Sequence, residues 1–356
     1  MTSMPSHLPR PMLSLEEHDV VKPRFPVIDA HNHLGPFFGG DWHRRPARDL
    51  LDVMDESQVR NVVDLDGGFE DQFQREIDKW SVLGERVLVF AGVNWKRLAS
   101  CPDLGERASR EFERAIKSGA KGLKIWKDFG LRVRDASGKL IPVDSPRLDP
   151  LWQTAGEAGV PVLIHVGDPV AFFQPLDDSN ERWDELQRTP EWSFHGPEYP
   201  PLENLIQALE NVITRHPRTT FIGAHVGCYA ENLAYVAGML NRLPNYYIDI
   251  GARIAELGRQ PNTARHFFLR YADRIVFGTD NPPDPKTYRI YYRCLETQDD
   301  CFPYWKPDDR PWQGRWYIHG LGLPDAVLQR VYYQNARRLL KLAHTELDSV
   351  ARAGAG

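Results

Sequence analysis

Hydrophobic residues in this chain gather into short runs. Each run is followed by a polar stretch and then, in most cases, by a longer segment in which apolar residues recur every three or four positions. Eight of the short runs read as strands: PVIDAH (26–31), NVVDLD (61–66), VLVFAG (87–92), KGLKIW (121–126), PVLIHV (161–166), TFIGAH (220–225), YYIDIG (246–251) and RIVFGT (274–279). Short, nearly continuous apolar runs suit strands covered on both faces. LENLIQALENVITRHP (202–217) represents the segments between them; its apolar residues keep helical spacing and Pro217 stops the helix. Strands alternating with helices imply a parallel sheet, and eight such units imply a closed (β/α)8 TIM barrel. A doubly wound open sheet is the competing arrangement, but no glycine-rich phosphate loop follows the first strand.

Three connections exceed simple loops: 127–147, 167–201 and 281–323. The second and third are rich in aromatic residues, among them Phe172, Trp183 and Trp192, then Tyr288, Tyr291, Trp305 and Trp316. Long loops in a barrel sit where active sites are built, although each aromatic also fits plain packing of loop onto barrel. Residues 1–24 read as an N-terminal extension on the surface. Residues 25–345 read as one barrel domain that includes the aromatic loop 281–323 and a C-terminal helix, VYYQNARRLLKLA (331–343), expected to cap the barrel.

Composition narrows the function. With 42% hydrophobic residues the chain can bury a large core, and its formal net charge of −5 comes with no basic run that would mark a nucleic-acid partner. No window approaches the ~18 apolar residues of a membrane span, and the first 24 residues lack the apolar middle of a secretory signal. Cys101, Cys228, Cys294 and Cys301 are scattered, with no CxxC, so they read as packing residues in a reducing cytoplasm.

Polar residues at the strand ends carry the chemistry. FPVIDAHNHLG (25–35) ends its apolar run with His31 and His33, and strict alternation sets Asp29, His31 and His33 on one face. Two imidazoles converging at a barrel mouth are costly to desolvate unless something binds them, and a divalent metal is the simplest partner. An HxH pair alone equally fits two surface histidines. The other strand ends strengthen the metal reading: His165 ends the fifth strand, His225 the sixth and Asp280 the eighth. Four histidines and a carboxylate suit a borderline divalent ion such as zinc, with iron or manganese as alternatives.

HxH followed by His, His and Asp at the ends of strands one, five, six and eight resembles the amidohydrolase superfamily. More narrowly it resembles the branch that includes aminocarboxymuconate-semialdehyde decarboxylase, and the closing YQNARRLL (333–340) is similar to that branch as well. The resemblance implies a metal-dependent hydrolase type of barrel. It implies metal binding by His31, His33, His165 and Asp280, with Asp280 also shuttling the proton of the bound water and His225 holding a second metal or polarising the substrate. Lys124 in GAKGLKIWKDFG (119–130) lies where two-metal members carry a carboxylated lysine, and this stretch looks more like dihydroorotase than like the decarboxylases. The alternatives are a Lys124 ion pair with Asp29 or Asp280, or the same role for Lys121 or Lys127, which alternation sets on the other face from Lys124 and Trp126.

The leading expectation is hydrolysis of an amide, lactone or ester-like bond in a small-molecule substrate that is ring-bearing or bulky, with one or two divalent ions as cofactor. A metal-dependent decarboxylase or other lyase is the alternative. A diiron oxygenase and an inactive binding barrel are minor ones. Arg253 is a candidate to hold a substrate carboxylate, unless it pairs with Glu256 or Asp249; Trp95 and Trp126 are candidates to stack on the substrate, and His195 to reach the pocket from its loop. A homo-oligomer is compatible with such a barrel, though no self-complementary patch is apparent.

Overall fold

The computed structural model describes residues 11–36, 40–306 and 309–343. Eight parallel strands run in sequence order: β1 (Val27–Asn32), β2 (Val59–Asp64), β3 (Val87–Ala91), β4 (Gly122–Ile125), β5 (Val162–Ile164), β6 (Phe221–Gly223), β7 (Tyr246–Asp249) and β8 (Ile275–Val276). Each pairs with the next, and hydrogen bonds from Ala30 N to Phe277 O (2.9 Å) and from Asp280 N to His31 O (2.7 Å) bring β8 back to β1. The result is the expected (β/α)8 TIM barrel. Nearly every strand residue is buried because side chains fill the barrel on one face and meet helices on the other.

The helices α1 (Ala47–Glu56), α2 (Glu70–Trp80), α3 (Leu104–Lys117), α4 (Asp149–Ala158), α5 (Leu202–Arg215), α6 (Leu233–Arg242), α7 (Pro261–Tyr271) and α8 (Pro285–Glu296) surround the sheet. In α5 the buried residues Leu202, Leu205, Ile206, Leu209, Val212 and Ile213 form one stripe at the helical period, which is the face laid on the barrel. No helix among the described residues is long and apolar enough to cross a membrane.

Three local expectations change. First, the stretch expected as loop from 281 opens with α8. The Asp284 carboxylate caps it by accepting from Lys286 N (2.7 Å) and Thr287 N (3.3 Å), and Tyr288, Tyr291, Tyr292 and Leu295 form its buried stripe. These tyrosines pack the helix onto the barrel, the packing reading left open for the aromatics. Second, Asp29 does not share surroundings with His31. The register of β1 shifts between Asp29 and Asn32, so strict alternation fails; the Asp29 carboxylate accepts from Asn32 Nδ2 (2.7 Å), Thr279 Oγ1 (2.7 Å) and Tyr288 OH (2.9 Å). Third, the closing helical segment Asp325–Leu339 contains a π-helical turn at Arg330–Gln334 and packs along β8, with Asn335 Nδ2 donating to Ala272 O and Ile275 O at 2.7 Å each.

Residues 11–24 of the N-terminal extension lie on the surface, with His18 N donating to Asp299 Oδ2 (2.9 Å) and Arg24 Nη1 to Asp325 Oδ1 (2.9 Å). Residues 1–10 and the expected boundary at 345 fall outside the described residues.

Candidate metal centre

Each histidine of the barrel mouth has one ring nitrogen tied to the scaffold. His31 Nδ1 meets Asp249 Oδ2 at 2.9 Å, His33 Nδ1 meets Asp66 Oδ1 at 2.7 Å, and His225 Nδ1 meets Gly251 O at 2.7 Å. His165 is tied through its other nitrogen: Nε2 meets Gly167 O at 3.0 Å, with Asp168 Oδ1 at 3.5 Å. Carbonyls and carboxylates only accept, so these partners assign the ring proton to the tied nitrogen. In the neutral ring the lone pair is then on Nε2 of His31, His33 and His225, and on Nδ1 of His165. Such fixing of the tautomer by a carboxylate or carbonyl is the usual support of a metal-binding imidazole.

The free nitrogens face Asp280. His31 Nε2 and His33 Nε2 lie 3.1 and 3.0 Å from Asp280 Oδ1, and His225 Nε2 lies 3.8 Å from Oδ2. Asp280 also only accepts, so each nitrogen facing it must either carry a second proton or share a cation with the carboxylate. A divalent ion could stand in for those protons at His31, His33 and Asp280; donors about 2.1 Å from a tetrahedral ion stand about 3.4 Å apart, close to the 3.0 and 3.1 Å found there. His31, His33 and Asp280 form one group with metal-ligand spacing, and His31, His225 and Asp249 form a second. The His165 ring lies 4.4 Å from that of His225 but does not belong to either group.

Charge follows the same pattern. Burial alone would raise the Asp280 carboxyl, but the His31 and His225 charges and hydrogen bonds with His31 and His33 hold it well below the usual range. Burial disfavours protonated His33, yet Asp66 and Asp280 outweigh it and raise the imidazole to about 9. Burial lowers His165 to about 4 and pushes His225 well down, the latter helped by the charges of His165 and Arg253.

Backbone strain delivers two of these side chains. β6 ends at Gly223, and His225 adopts a left-handed φ of +58° that turns its ring inward while its N–H donates to Asp249 Oδ1 at 3.0 Å. Asp280 follows β8 with φ +56°. Non-glycine residues enter this region rarely, and they do so mostly where function holds them. Gly251 allows the close approach: a Cβ there would stand 3.0 Å from Asp280 Cβ and 3.1 Å from His31 Nδ1.

Lys124 is 1% exposed, its Nζ has no hydrogen-bond partner, and it lies 5.2 Å from the Trp126 ring. Burial lowers its ammonium to about 8, against the pull of Asp280 and Asp249. Among the described residues it forms no ion pair, so the expected alternatives with Asp29 and Asp280 are not what the structure has. Lys127 pairs instead with Asp168, beside His165. The half-buried Trp126 flanks the site, its ring 5.2 Å from that of His33.

The remaining candidates separate. Arg253 is 5% exposed and pairs with neither Asp249, which holds His31, nor Glu256, which pairs with Arg182. Trp95 is buried edge-on against Phe129 at 4.3 Å, a packing contact. His195 is exposed, with Nδ1 3.4 Å from Phe173 O, and is not drawn into the cluster. Asp66, Asp249 and Asp168, which support the histidines, were not expected as site residues. Asp66 and Asp249 sit at or just past the ends of β2 and β7, the same signal that marks His165 and Asp280.

The chain matches the Amidohydrolase family over residues 28–342. No curated protein matches it. Its fold is similar to that of 2,6-dihydroxybenzoate decarboxylase from Rhizobium, at 17% identity and TM-score 0.55, covering 89% of this chain and 99% of the other. It is also similar to a dihydroxybenzoic acid decarboxylase from Polaromonas sp. JS666 with bound manganese (15%, TM-score 0.55, 91% and 99%). A third similar structure is an uncharacterized TIM-barrel protein from Bordetella bronchiseptica (14%, TM-score 0.54, 89% and 99%). At these identities the likeness is one of fold. The family match begins in β1 and ends past the closing helical segment, taking in every strand end that bears a candidate ligand, and on that footing the chain belongs to the amidohydrolase family.

Proposed function

We propose that the protein is a metal-dependent hydrolase acting on an amide, lactone or ester-like bond of a small molecule. His31, His33 and Asp280 would hold one divalent ion, with His165 and His225 completing the set for one or two. Bound there, the ion would supply Lewis acidity, lowering the pKa of a water from about 15.7 toward ~7. Asp280, ionised throughout the neutral range, takes the proton of the attacking water and returns it to the leaving group. His225, neutral because it is buried and donating through Nδ1 to Gly251 O, keeps its Nε2 lone pair free to hold an ion. Trp126 bounds the mouth with a flat apolar wall.

The observation that carries hydrolysis over other chemistry is Lys124. Its amine is buried, unpartnered and lowered to about 8, so the neutral form is accessible near pH 7. A neutral amine can add carbon dioxide and release a proton, which turns a costly buried cation into an anionic ligand for a second ion. Elemental analysis joined to 13C NMR of protein equilibrated with labelled bicarbonate tests this. Two ions per chain and a carbamate resonance absent from Lys124→Met are expected. One ion, no carbamate and carbon dioxide release from aromatic acids would refute it.

That outcome would leave the second reading, non-oxidative decarboxylation on a single ion. The compact His31, His33 and Asp280 group, sufficient for one ion without any lysine, favours it, as do the decarboxylases among the similar folds.

A further inference from the structure

Arg253 follows β7 by four positions, on backbone fixed against the metal centre. Two residues earlier, Gly251 O accepts from His225 Nδ1 (2.7 Å) and Gly251 N donates to Asp249 Oδ1 (2.9 Å). Between them Ala252, at φ +53°, donates its N–H to Thr279 O and to Tyr291 OH, both at 3.0 Å. The Arg253 side chain is 5% exposed, and its charge is close enough to His225 to disfavour protonation of that ring.

A guanidinium has five N–H donors, yet the one side-chain hydrogen bond Arg253 makes among the described residues is from Nη1 to Ala252 O, at 2.8 Å. No carboxylate of the described residues lies within ion-pair distance. The neighbouring acids are committed elsewhere: Glu185 and Glu256 to Arg182, Asp249 to His31, and Glu231 to Val170 N at 3.0 Å. None of its other nitrogens is both fully buried and unpartnered, so the fork opens on space that a ligand can enter and complete.

We infer that Arg253 anchors a carboxylate of the substrate, so that the substrate is a carboxylic acid whose reacting bond faces the histidines. This deepens the proposed function and rests on it. A carboxylate matches the planar fork through two parallel hydrogen bonds. It also carries a single negative charge. The dianion of a phosphate would face Glu185, Glu231 and Glu256, all of which sense the Arg253 charge.

The test is calorimetric binding of benzoate, benzamide and inorganic phosphate to the metal-loaded full chain and to the variants R253Q and R253K. Benzoate suits the mouth because Trp126 offers it a ring face. The wild type is expected to prefer benzoate over benzamide by at least tenfold. R253Q is expected to weaken benzoate by about 10- to 100-fold without changing benzamide, and R253K to fall between, since it keeps the charge and loses the fork. Should R253Q fail to fold, a loss in R253K carries the same conclusion. The inference is overturned if benzoate binds R253Q as well as it binds the wild type, if the wild type shows no preference for benzoate, or if phosphate binds more tightly. Metal content separates this from failure of the underlying reading: protein that takes up no metal refutes the metal centre, whereas metal-replete protein with Arg253-independent binding refutes only the anchor.

Discussion

Replacing Lys124 with Met should make the metal-free protein more stable. The Lys124 amine falls from an ordinary 10.5 to about 8 on folding, because burial outweighs attraction to Asp280 and Asp249. That shift of about 2.5 units corresponds to about 3 kcal/mol of destabilisation wherever both states are protonated, as at pH 7. Between pH 8 and 10.5 the unfolded chain holds a proton that the native chain has lost, so stability rises with pH and the cost fades. Met keeps the length of the side chain and removes the charge. Urea unfolding at pH 7 in chelator should show Lys124→Met ahead by about 3 kcal/mol, shrinking to below about 1 kcal/mol at pH 10. At ~2.1 cal/mol/K of unfolding entropy per residue, a chain of 356 residues gains roughly 4 °C in Tm from this. The same variant should lose the second ion and hydrolytic turnover, the usual conflict between stability and activity. A Met variant no more stable than the wild type at pH 7, or equally advantaged at pH 7 and 10, would refute the reasoning that Lys124 is an uncompensated buried cation.

Other expectations concern the residues around the histidines. Asp66→Asn and Asp249→Asn should each weaken metal binding by about 10- to 100-fold in chelator competition, because they free the His33 and His31 rings from a fixed tautomer. Gly251→Ala should lower metal occupancy with little loss of helical signal, since its Cβ would stand 3.0 Å from Asp280 Cβ. Asp64 is buried, with Oδ2 unpartnered, and burial aided by Asp66 pushes it up to about 7. Native protein therefore keeps a proton between about pH 4 and 7 that the unfolded chain gives up, and stability falls as pH rises through that window. Asp64→Asn should flatten the fall, by up to about 4 kcal/mol between pH 4 and 8, read as the pH dependence of urea midpoints.

The barrel was legible, and one physical rule singles out the five candidate ligands, of which His31, His33, His225 and Asp280 fall in groups with metal-ligand spacing and His165 does not. A side chain at the end of an apolar run is aimed from rigid backbone, and His31, His165 and Asp280 break such runs visibly. What stayed hidden depends on contacts distant in sequence. Asp249 in YYIDIG looks like any strand-end acid until β7 brings it to His31, 218 residues away in the chain. Asp29 was expected beside the histidines because strict alternation was assumed, and a register shift in β1 redirects it to Thr279 and Tyr288. The tyrosines of α8 were read as part of a loop because aromatic content masked their helical spacing, although Asp284-Pro285 is a helix start in plain view. No sequence pattern distinguishes a lysine or arginine that has a partner from one that lacks it, so Lys124 and Arg253 were candidates by position, and only the structure shows how few partners each has.

The strain at the mouth shows what these residues are held for. Nine described non-glycine residues have positive φ, and His225, Val226, Cys228, Ala252 and Asp280 fall just after β6, β7 and β8. Each such residue costs about 1–3 kcal/mol. Glycine at 225 or 280 would relieve the strain but supply neither imidazole nor carboxylate. The barrel holds the strained turns through Asp249, which accepts from His225 N, Gly251 N and the His31 ring together. A single buried carboxylate thus fixes the β6 turn, the β7 exit and a ring on β1. Burial would raise Asp249, but its contact with the His31 ring and these donated hydrogen bonds hold it below the usual carboxylate range, so it stays ionised while it sets the orientation of that ring. Strained backbone, an uncompensated Lys124 and ring nitrogens that need a proton or an ion to face Asp280 all lower stability in the same few ångströms of the fold. A bound cation relieves the last of these directly, and carboxylation of Lys124 would relieve the second. The site is therefore expected to gain stability on metal loading, beyond what binding to a relaxed set of ligands would give.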